Sequence, residues 1–368
     1  MTNLPEGTHV ITERTLALAV ERGLLSPEQA AGLRELAVDA PMANETQDDE
    51  KLRFISGFGD IFVTIGLALF LGAVGYFGQA RLGLFGMAVV VAVTSWGLAE
   101  FFTRNRRMAL PSIVLLITYA SMVFVAARTG LTVLAGGDEV ARSLWTFGDE
   151  PLPLVGAGLT TVLATALHYW RFRVPITLAA GAAALVAAAI GLIFLVAPGL
   201  AESAFPGILL VCGMLVFALA MRFDFSDPQR VTKRTDIAFW LHMLAAPLIV
   251  HPLVKGFVAD PGEPNAGAAW AVLAIFAALG VVAMLIDRRA VLVSGLAYAG
   301  FAFGALVRDT GLVNSVAPLT MLVLGALVLL LSAGWRTLRH VLLGLLPVGI
   351  ARRLPNPYPS HLKFESQS

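Results

Sequence analysis

The stretch 234–257, RTDIAFWLHMLAAPLIVHPLVKGF, decides how the rest of the chain is interpreted. It is long and apolar enough to cross a bilayer. It nevertheless contains Asp236, His242 and Pro247, which are costly in a hydrocarbon environment or disrupt a helix. No other apolar stretch of the sequence holds so many such groups. The stretch therefore predicts a transmembrane helix with a polar role.

The composition places the whole chain in the membrane class. Of the 368 residues, 57% are hydrophobic and 14% are charged, and the mean hydropathy is +0.79. Soluble domains have about 45–50% apolar and about 25% charged residues. Apolar runs of roughly 20 residues recur along the chain, which is typical of membrane-spanning helices. The predicted fold class is therefore all-α, a polytopic transmembrane helical bundle.

The apolar runs predict about ten spans, and the positive charges predict their orientation. The spans are expected at 57–78, 83–103, 108–127, 152–170, 174–197, 205–222, 236–257, 267–286, 291–308 and 315–335. With a cytoplasmic N-terminus, the arginine-rich segments 104–107, 171–173, 222–234, 288–289 and 336–353 all fall on the cytoplasmic side. We therefore expect both termini in the cytoplasm of a bacterial cell and the bundle in its inner membrane.

Three further segments flank the bundle of residues 54–335. Residues 1–39 predict a small cytoplasmic helical hairpin, with Gly23 ending its first helix and Ser26 to Gln29 forming a capping box. Residues 40–53 read as a polar, acidic linker. Residues 336–368 predict a basic tail whose first helix, ended by Pro347, lies on the anionic lipid surface with Arg336, Arg339 and His340 on its polar face. A stop-transfer flank without a role of its own is an equal alternative for this tail.

The polar segments constrain the partners. Acidic residues outnumber arginines in the hairpin, so it offers no basic face for a nucleic acid. A cytoplasmic protein partner bound through residues 12–39 remains a hypothesis, as does simple packing. The bilayer, contacted by the basic tail, is the other expected partner.

The cytoplasmic turns have a common form. EFFTRNRRMALP (100–111), HYWRFRVP (168–175) and IDRRAVLV (286–293) each place a polar or acidic residue before arginines and then return to apolar sequence. This indicates a helical hairpin that recurs in parallel orientation, which is common in transporters but equally a general way to build a bundle.

Five titratable residues near the cytoplasmic ends of the spans form the candidate polar pathway. At 1.5 Å per residue, His242 is the deepest, about 10 Å inside. Carboxylates and imidazoles at such depth would suit proton or cation handling. The structural alternative is that these groups form ion pairs with adjacent arginines, helix caps or hydrogen bonds between helices. The five residues are Asp60, Glu100, His168, Asp236 and His242.

Pro247 is a candidate helix break in the middle of its span. Proline removes a backbone donor and frees a carbonyl group, and broken helices near the midplane are where many transporters hold their solute. A kinked span without any such role is the alternative.

Recognisable catalytic, cofactor and metal motifs are missing from the sequence. No HExxH, P-loop, dinucleotide fingerprint or GxSxG elbow is present, and the single cysteine, Cys212, lies in an apolar run. His242 and His251 project from opposite sides of one helix, because their spacing is about half a turn out of phase. We therefore predict no catalytic, cofactor-binding or metal-binding residue, and enzyme activity is disfavoured.

The chain resembles a group of uncharacterised proteobacterial polytopic membrane proteins. The resemblance rests on VERGLLSPEQAAGLREL, DDEKLRFISGFGDIFVTIGLALFLGA, WGLAEFFTRNRRMALPS and RTDIAFWLHMLAAPLIVHP. In that group a short helical segment precedes many spans. The resemblance implies a bacterial inner-membrane location and no particular activity.

Three functional hypotheses follow. The first is transport or ion and proton handling through the polar layer in the cytoplasmic half of the bundle. The second is a non-catalytic membrane scaffold or sensor acting through the hairpin and tail. The third, a membrane-embedded enzyme, is the weakest because no nucleophile or metal set is recognisable.

Overall fold

The described part of the chain is entirely helical. A computed structural model describes residues 16, 19–39, 58–137, 151–227, 232–255, 266–309 and 316–346, and within these ranges it contains helices and no strand. By contacts the chain divides into two compact units, Met1–Lys51 and Leu52–Ser368. The expected linker 40–53, residues 12–15 of the hairpin and the tail after residue 346 lie outside the described residues.

The N-terminal unit has the predicted capping. Helix α1 spans Pro27–Asp39. The backbone N–H of Ser26 donates to Gln29 Oε1 (2.9 Å), and the backbone N–H of Gln29 donates to Ser26 Oγ (3.1 Å). Gly23 has φ +69°, and Leu24 N–H donates to the Ala19 carbonyl (2.9 Å), which closes the preceding helical turn. The predicted capping box and C-cap are confirmed.

The first membrane helix is folded back on itself at a glycine. Helix α2, Phe58–Ala99, contains Gly83 with φ 67° and ψ −174°, a conformation outside the helical region. A Cβ on Gly78 would lie 3.2 Å from the Cα of Met87, so the chain segments on either side of Gly83 run antiparallel in contact. α2 therefore contains the first two predicted spans as one hairpin. A π-helical turn, Glu100–Asn105, continues it.

The remaining helices follow in a regular sequence. They are α3 Ala109–Leu134, α4 Pro151–Phe172, α5 Ile176–Val196, the short α6 Pro198–Ser203, α7 Phe205–Ser226, α8 Lys233–Lys255, α9 Ala266–Ile286, α10 Ala290–Asp309 and α11 Val316–Gly344.

Most of the predicted spans coincide with helices that are apolar enough to cross a membrane. Eight helices in the described part of the chain are long and apolar enough, and the first of them, Phe58–Asn105, includes both arms of the α2 hairpin. Nine of the ten predicted spans therefore lie on these eight helices. The tenth, 291–308, lies on α10, which is not among them. The chain is an all-α, multi-pass membrane protein.

Helix α8, which contains the stretch 234–255, is the centre of the bundle. Of its most apolar window, 56% is buried inside the protein, against at most 39% in the other seven. It packs with α7 and α5 through Leu241, Ala220 and Ala179. Its other half packs with α9 and α10 through Val250 and Val254. Sequence-adjacent helices pair as antiparallel hairpins, α4 with α5, α7 with α8, and α9 with α10.

Three turns at one end of the bundle share a backbone conformation. Arg107, Arg173 and Asp287 have φ of 54°, 54° and 57°, and each lies in a predicted arginine-rich turn. Left-handed backbone after a helix satisfies its last carbonyl groups, as when Arg288 N–H donates to the Ala283 carbonyl (2.8 Å). The similarity of these turns thus extends from sequence to backbone. We call this end of the bundle, where these turns and the α7–α8 turn lie, the arginine-rich end.

Two predictions, the helix break at Pro247 and the outer position of Arg339, are wrong. Pro247 does not break its helix, because α8 continues from Lys233 to Lys255 across both Pro247 and Pro252. Pro247 is exposed at the protein surface, so its ring has room that a packed face would not provide. At the other boundary, α11 continues past residue 335 to Gly344. Arg339 is 3% exposed, because it packs against the α9–α10 turn instead of lying on a polar outer face.

Candidate functional site

A buried carboxylate, imidazole and guanidinium meet at the arginine-rich end of the bundle. His242 Nε2 lies 2.8 Å from Asp224 Oδ2. Arg288 Nε donates to the same oxygen over 3.3 Å, and Arg288 Nη2 donates to Asp224 Oδ1. The three side chains are 0%, 1% and 2% exposed, in the order His242, Asp224, Arg288. We call these three residues the central cluster.

Three different elements position the central cluster. Asp224 lies in the last turn of α7, His242 lies about two and a half turns into α8, and Arg288 lies in the turn between α9 and α10. An ionised carboxylate only accepts hydrogen bonds, so His242 presents a protonated Nε2 to Asp224. The Phe217 ring packs against the imidazole, with ring centroids 5.2 Å apart. The cluster therefore ties two helical hairpins together within apolar surroundings.

A second carboxylate joins the end of α7 to the start of α8. Asp227 Oδ2 accepts hydrogen bonds from Thr232 N–H (2.8 Å), Thr232 Oγ1 (2.7 Å) and Thr235 Oγ1 (3.1 Å). The Thr235 carbonyl in turn accepts from Arg288 Nη2 over 3.4 Å. These bonds hold the first turn of α8 against the end of α7, so Asp224 and His242 keep their register.

A further polar group attaches α11 to the α9–α10 turn. Trp335 Nε1 donates to Asp287 Oδ1 (2.8 Å), and Arg339 Nε donates to the Met284 carbonyl (3.0 Å) and lies 3.6 Å from Asp287 Oδ1. The Arg289 guanidinium lies over the Trp335 ring, 5.2 Å from its centroid. Arg288 is therefore held in a turn that is itself fixed on the opposite side by α11.

Glu100 forms the equivalent contact between the first hairpins. Arg171 Nε and Nη2 donate to its two carboxylate oxygens, each over 2.8 Å, and Arg104 Nη1 lies 3.4 Å away. The Arg171 and Glu100 side chains are 28% and 34% exposed. As in the central cluster, a turn arginine reaches a carboxylate at the end of a helix in the preceding hairpin. This pair, however, is partly exposed to solvent.

His168 lies in an aromatic environment near that pair. Its ring is surrounded by Phe172, Tyr119 and Trp96, with centroid distances of 4.6, 5.6 and 5.7 Å. Its Nδ1 lies 3.4 Å from Thr177 Oγ1. The residue is 1% exposed. These contacts are those of an interior histidine packed between α2, α3, α4 and α5.

The five predicted pathway residues are divided between separate environments. Glu100 pairs with Arg171 of α4, and His168 lies on α4 itself, whereas His242 belongs to the central cluster. Asp60 is buried in the first turn of α2, and Asp236 is half-buried in the first turn of α8. All five lie near the arginine-rich end, Asp60 because the first arm of the α2 hairpin begins at the end where its second arm stops, but the described contacts do not join the five into one layer. Whether they form a pathway remains a prediction.

The two histidines of α8 have different partners, as their spacing predicts. His242 contacts Asp224 on α7, and His251 Nδ1 lies 2.5 Å from the Tyr298 hydroxyl on α10. Within the described ranges, no group of three or more His, Cys, Asp and Glu side chains is arranged to hold a metal ion.

Two cavities in the described part of the protein have mainly apolar linings. One, of about 500 Å³, lies within the α2 hairpin beside Phe77 and Gly78. The other, of about 490 Å³, lies between α2, α3 and α4 beside Trp96 and Tyr119. Neither is lined by a residue of the central cluster, whose side chains are at most 2% exposed.

Fold and cluster together define a class, a multi-pass helical membrane protein with a buried ionic cluster at one end of its bundle. Comparison of the chain with protein-family models, with curated proteins and with solved structures found no match.

Sequence reasoning identified only one of the three cluster residues. Asp224 and Arg288 lie in segments predicted as arginine-rich turns. Charged groups in such turns are hydrated and cost little free energy, so neither residue is a candidate from the sequence. A signal was nevertheless present, since Asp224 is an acidic residue two positions after a predicted span, in a segment where only Asp224 and Asp227 interrupt the basic residues.

Proposed function

We propose that the protein is a transporter-type membrane protein that handles protons or small ions, with the central cluster as its site. The contact between His242 Nε2 and Asp224 Oδ2 supports this most directly. Ionisable groups within transmembrane segments are rare and costly, and histidine changes its charge near physiological pH. The predicted orientation places the cluster at the cytoplasmic side of a bacterial inner membrane.

The roles of the three residues differ in this proposal. His242 accepts and releases the proton, because its imidazole is the one group of the three that is stable in both charge states near neutral pH. Asp224 orients the ring and stabilises its charged form. Arg288 keeps Asp224 ionised, so that the carboxylate remains an acceptor when the imidazole is neutral.

Transport requires the cluster to open, and its construction from separate hairpins allows this. Asp224 and His242 belong to the α7–α8 hairpin, whereas Arg288 belongs to the α9–α10 turn. Movement of one hairpin against the other would separate Arg288 from Asp224 and admit water. Alternating access by relative movement of packed helical units is common among transporters.

Proton flux into sealed vesicles tests the proposal. The full-length protein is reconstituted with an internal pH dye, and an outside-acid pH gradient drives protons inward at zero membrane potential, with phosphate and chloride both present outside. We expect flux above that of protein-free vesicles and at least a tenfold lower flux for His242→Gln, which keeps a polar side chain but loses the titrating group.

His340→Gln is the matched control, since His340 is exposed on α11. It should leave the flux unchanged. Equal flux in wild type, His242→Gln and protein-free vesicles, with the variant correctly folded, would rule out proton handling at this site.

A scaffold or sensor is the second candidate function, and the N-terminal unit favours it. Leu24 and Leu33 are 74% and 39% exposed on this small helical unit. Exposed apolar side chains that lie close together can form a surface for a protein partner. A photo-crosslinking residue at position 24 would be joined to a cytoplasmic protein if this surface binds a partner. Crosslinks to lipid alone would argue against a scaffold that acts through the hairpin.

A further inference from the structure

We infer that the central cluster binds a singly charged oxyanion, a monocarboxylate or dihydrogen phosphate in type, and that this anion enters together with one proton. This inference rests on the proposed function and names the substrate class of the same site. It comes from the geometry of Arg288 and from the charge balance of the three buried side chains.

Arg288 is already arranged as an oxyanion receptor. Its Nε and Nη2 groups donate to the two different oxygens of one carboxylate, and Nη2 also approaches the Thr235 carbonyl. Paired parallel donors match the geometry of carboxylates and phosphates, and arginine is the residue that most often binds them in desolvated sites. Its present ligand is Asp224, a carboxylate of the protein itself.

Asp224 therefore occupies the place that an external anion would take. An incoming carboxylate or phosphate can replace it on Arg288 without leaving the guanidinium unpaired, which in a buried site would be very costly. Asp224 then retains its contact with His242, 2.8 Å away. The exchange replaces one oxyanion on Arg288 by another, so no donor of Arg288 is lost.

Charge balance couples this exchange to a proton. Asp224 and Arg288 carry opposite charges, so with a neutral His242 the cluster has no net charge. A bound anion alone would leave one negative charge at a site that is at most 2% exposed, and a proton alone would leave one positive charge. Either state is costly in a membrane interior. Anion and proton together restore neutrality, with the proton held between His242 Nε2 and Asp224 Oδ2.

The groups that face His242 fit this assignment. Asp224 approaches it from α7, Arg288 reaches Asp224 from the α9–α10 turn, and the ring of Phe217 covers it. α5 packs on the same part of α8 through Ala179 and other apolar side chains. The nearby Asp287 and Arg339 form their own pair, 3.6 Å apart.

The test compares three anions in the same vesicles. Gluconate, inorganic phosphate at a pH at which it is singly charged, or chloride is added outside at equal concentration, with the membrane potential clamped, and the internal pH is recorded. We expect internal acidification with gluconate or phosphate at least tenfold faster than with chloride, because chloride has no pair of oxygens that could accept the two parallel hydrogen bonds of Arg288.

Asp224→Asn gives a second, sharper expectation. The variant removes the internal competitor for Arg288, so radiolabelled gluconate or singly charged phosphate should bind at least tenfold more tightly. It also removes the proton partner of His242, so uptake should lose its acidification. The double variant Asp224→Asn/Arg288→Gln, which has no unpaired charge, should fold and bind neither anion.

The outcomes separate this inference from the proposed function. Proton flux that is equal with all three anions, together with unchanged binding by Asp224→Asn, would overturn the anion coupling and leave proton handling intact. Absence of proton flux under every condition, with no anion bound by wild type or Asp224→Asn, would overturn both.

Discussion

The burial of Asp224 makes its partners far more important than those of an exposed carboxylate. A pair of buried charges gains little over apolar residues, but removing one partner leaves the other desolvated and unpaired, at a cost of about 3–5 kcal/mol. Exposed ion pairs contribute about 0–1 kcal/mol. The chain contains one ion pair of each kind in similar geometry. The Arg288–Asp224 pair is buried, and the Arg171–Glu100 pair is partly exposed.

We predict that Arg288→Gln lowers the free energy of unfolding by about 3–5 kcal/mol, since Asp224 loses its buried counter-charge. The double variant Asp224→Asn/Arg288→Gln should recover most of that loss. The measurement is equilibrium unfolding in mixed micelles. As the matched control, Arg171→Gln should cost no more than about 1 kcal/mol, because its pair is partly exposed.

Equal losses for Arg288→Gln and Arg171→Gln would contradict the assignment of a desolvated pair at the central cluster. A double variant no more stable than Arg288→Gln would show that Asp224 is not the group that Arg288 compensates.

At the level of single residues, the sequence predicted His242 but not its partners. A histidine deep in an apolar run is visible from the sequence because its surroundings are local. Asp224 and Arg288 are 64 residues apart in the sequence. Each lies at a helix end or in a turn, where charged side chains are usually exposed to solvent. Only the packing of the α9–α10 turn over the end of α7 removes them from solvent. Arg339 was placed on an outer face for the same reason.

At the level of elements, most helices follow from apolar run length, and the exceptions have physical causes. The first two spans were predicted separately, and the structure joins them at Gly83, whose φ and ψ only glycine adopts readily. The helix containing Pro247 was expected to break. The helix stays continuous, because the free energy lost with one missing hydrogen bond is smaller than the packing free energy that α8 gains as the central helix.

Gly83→Ala tests the α2 turn. A Cβ at φ 67° and ψ −174° should cost about 1–3 kcal/mol, seen as a lower thermal unfolding midpoint in detergent. Gly72→Ala is the control, since Gly72 lies inside the same helix with nothing within 4 Å of an added Cβ. It should be neutral or stabilising by about 0.5–1 kcal/mol. Equal midpoints for the two variants would mean that Gly83 is not in this conformation.

At the level of the whole molecule, the bundle contains two similar halves, in addition to the first arm of α2 and α11. Residues 84–196 and 205–309 each contain two antiparallel hairpins, and in each half a turn arginine of the second hairpin binds a carboxylate of the first. The similar turns at Arg173 and Asp287 agree with this. The halves differ in exposure, since the Glu100 pair is open to solvent and the Asp224 pair is closed. Opening and closing of the second pair is the movement that transport would need.

Water access to the central cluster tests the proposed function most directly. Ala238, which is fully buried, lies one turn from His242 toward the arginine-rich end, so Ala238→Cys leaves the cluster intact. With Cys212 replaced by serine, a small charged thiol reagent is applied to each side of an oriented membrane, and Ser226→Cys serves as the exposed control. We predict reaction of Ala238→Cys from the arginine-rich side only, more slowly than Ser226→Cys. No reaction from either side, while Ser226→Cys is labelled, would contradict a pathway. The cluster would then have only the structural role of joining the two hairpins.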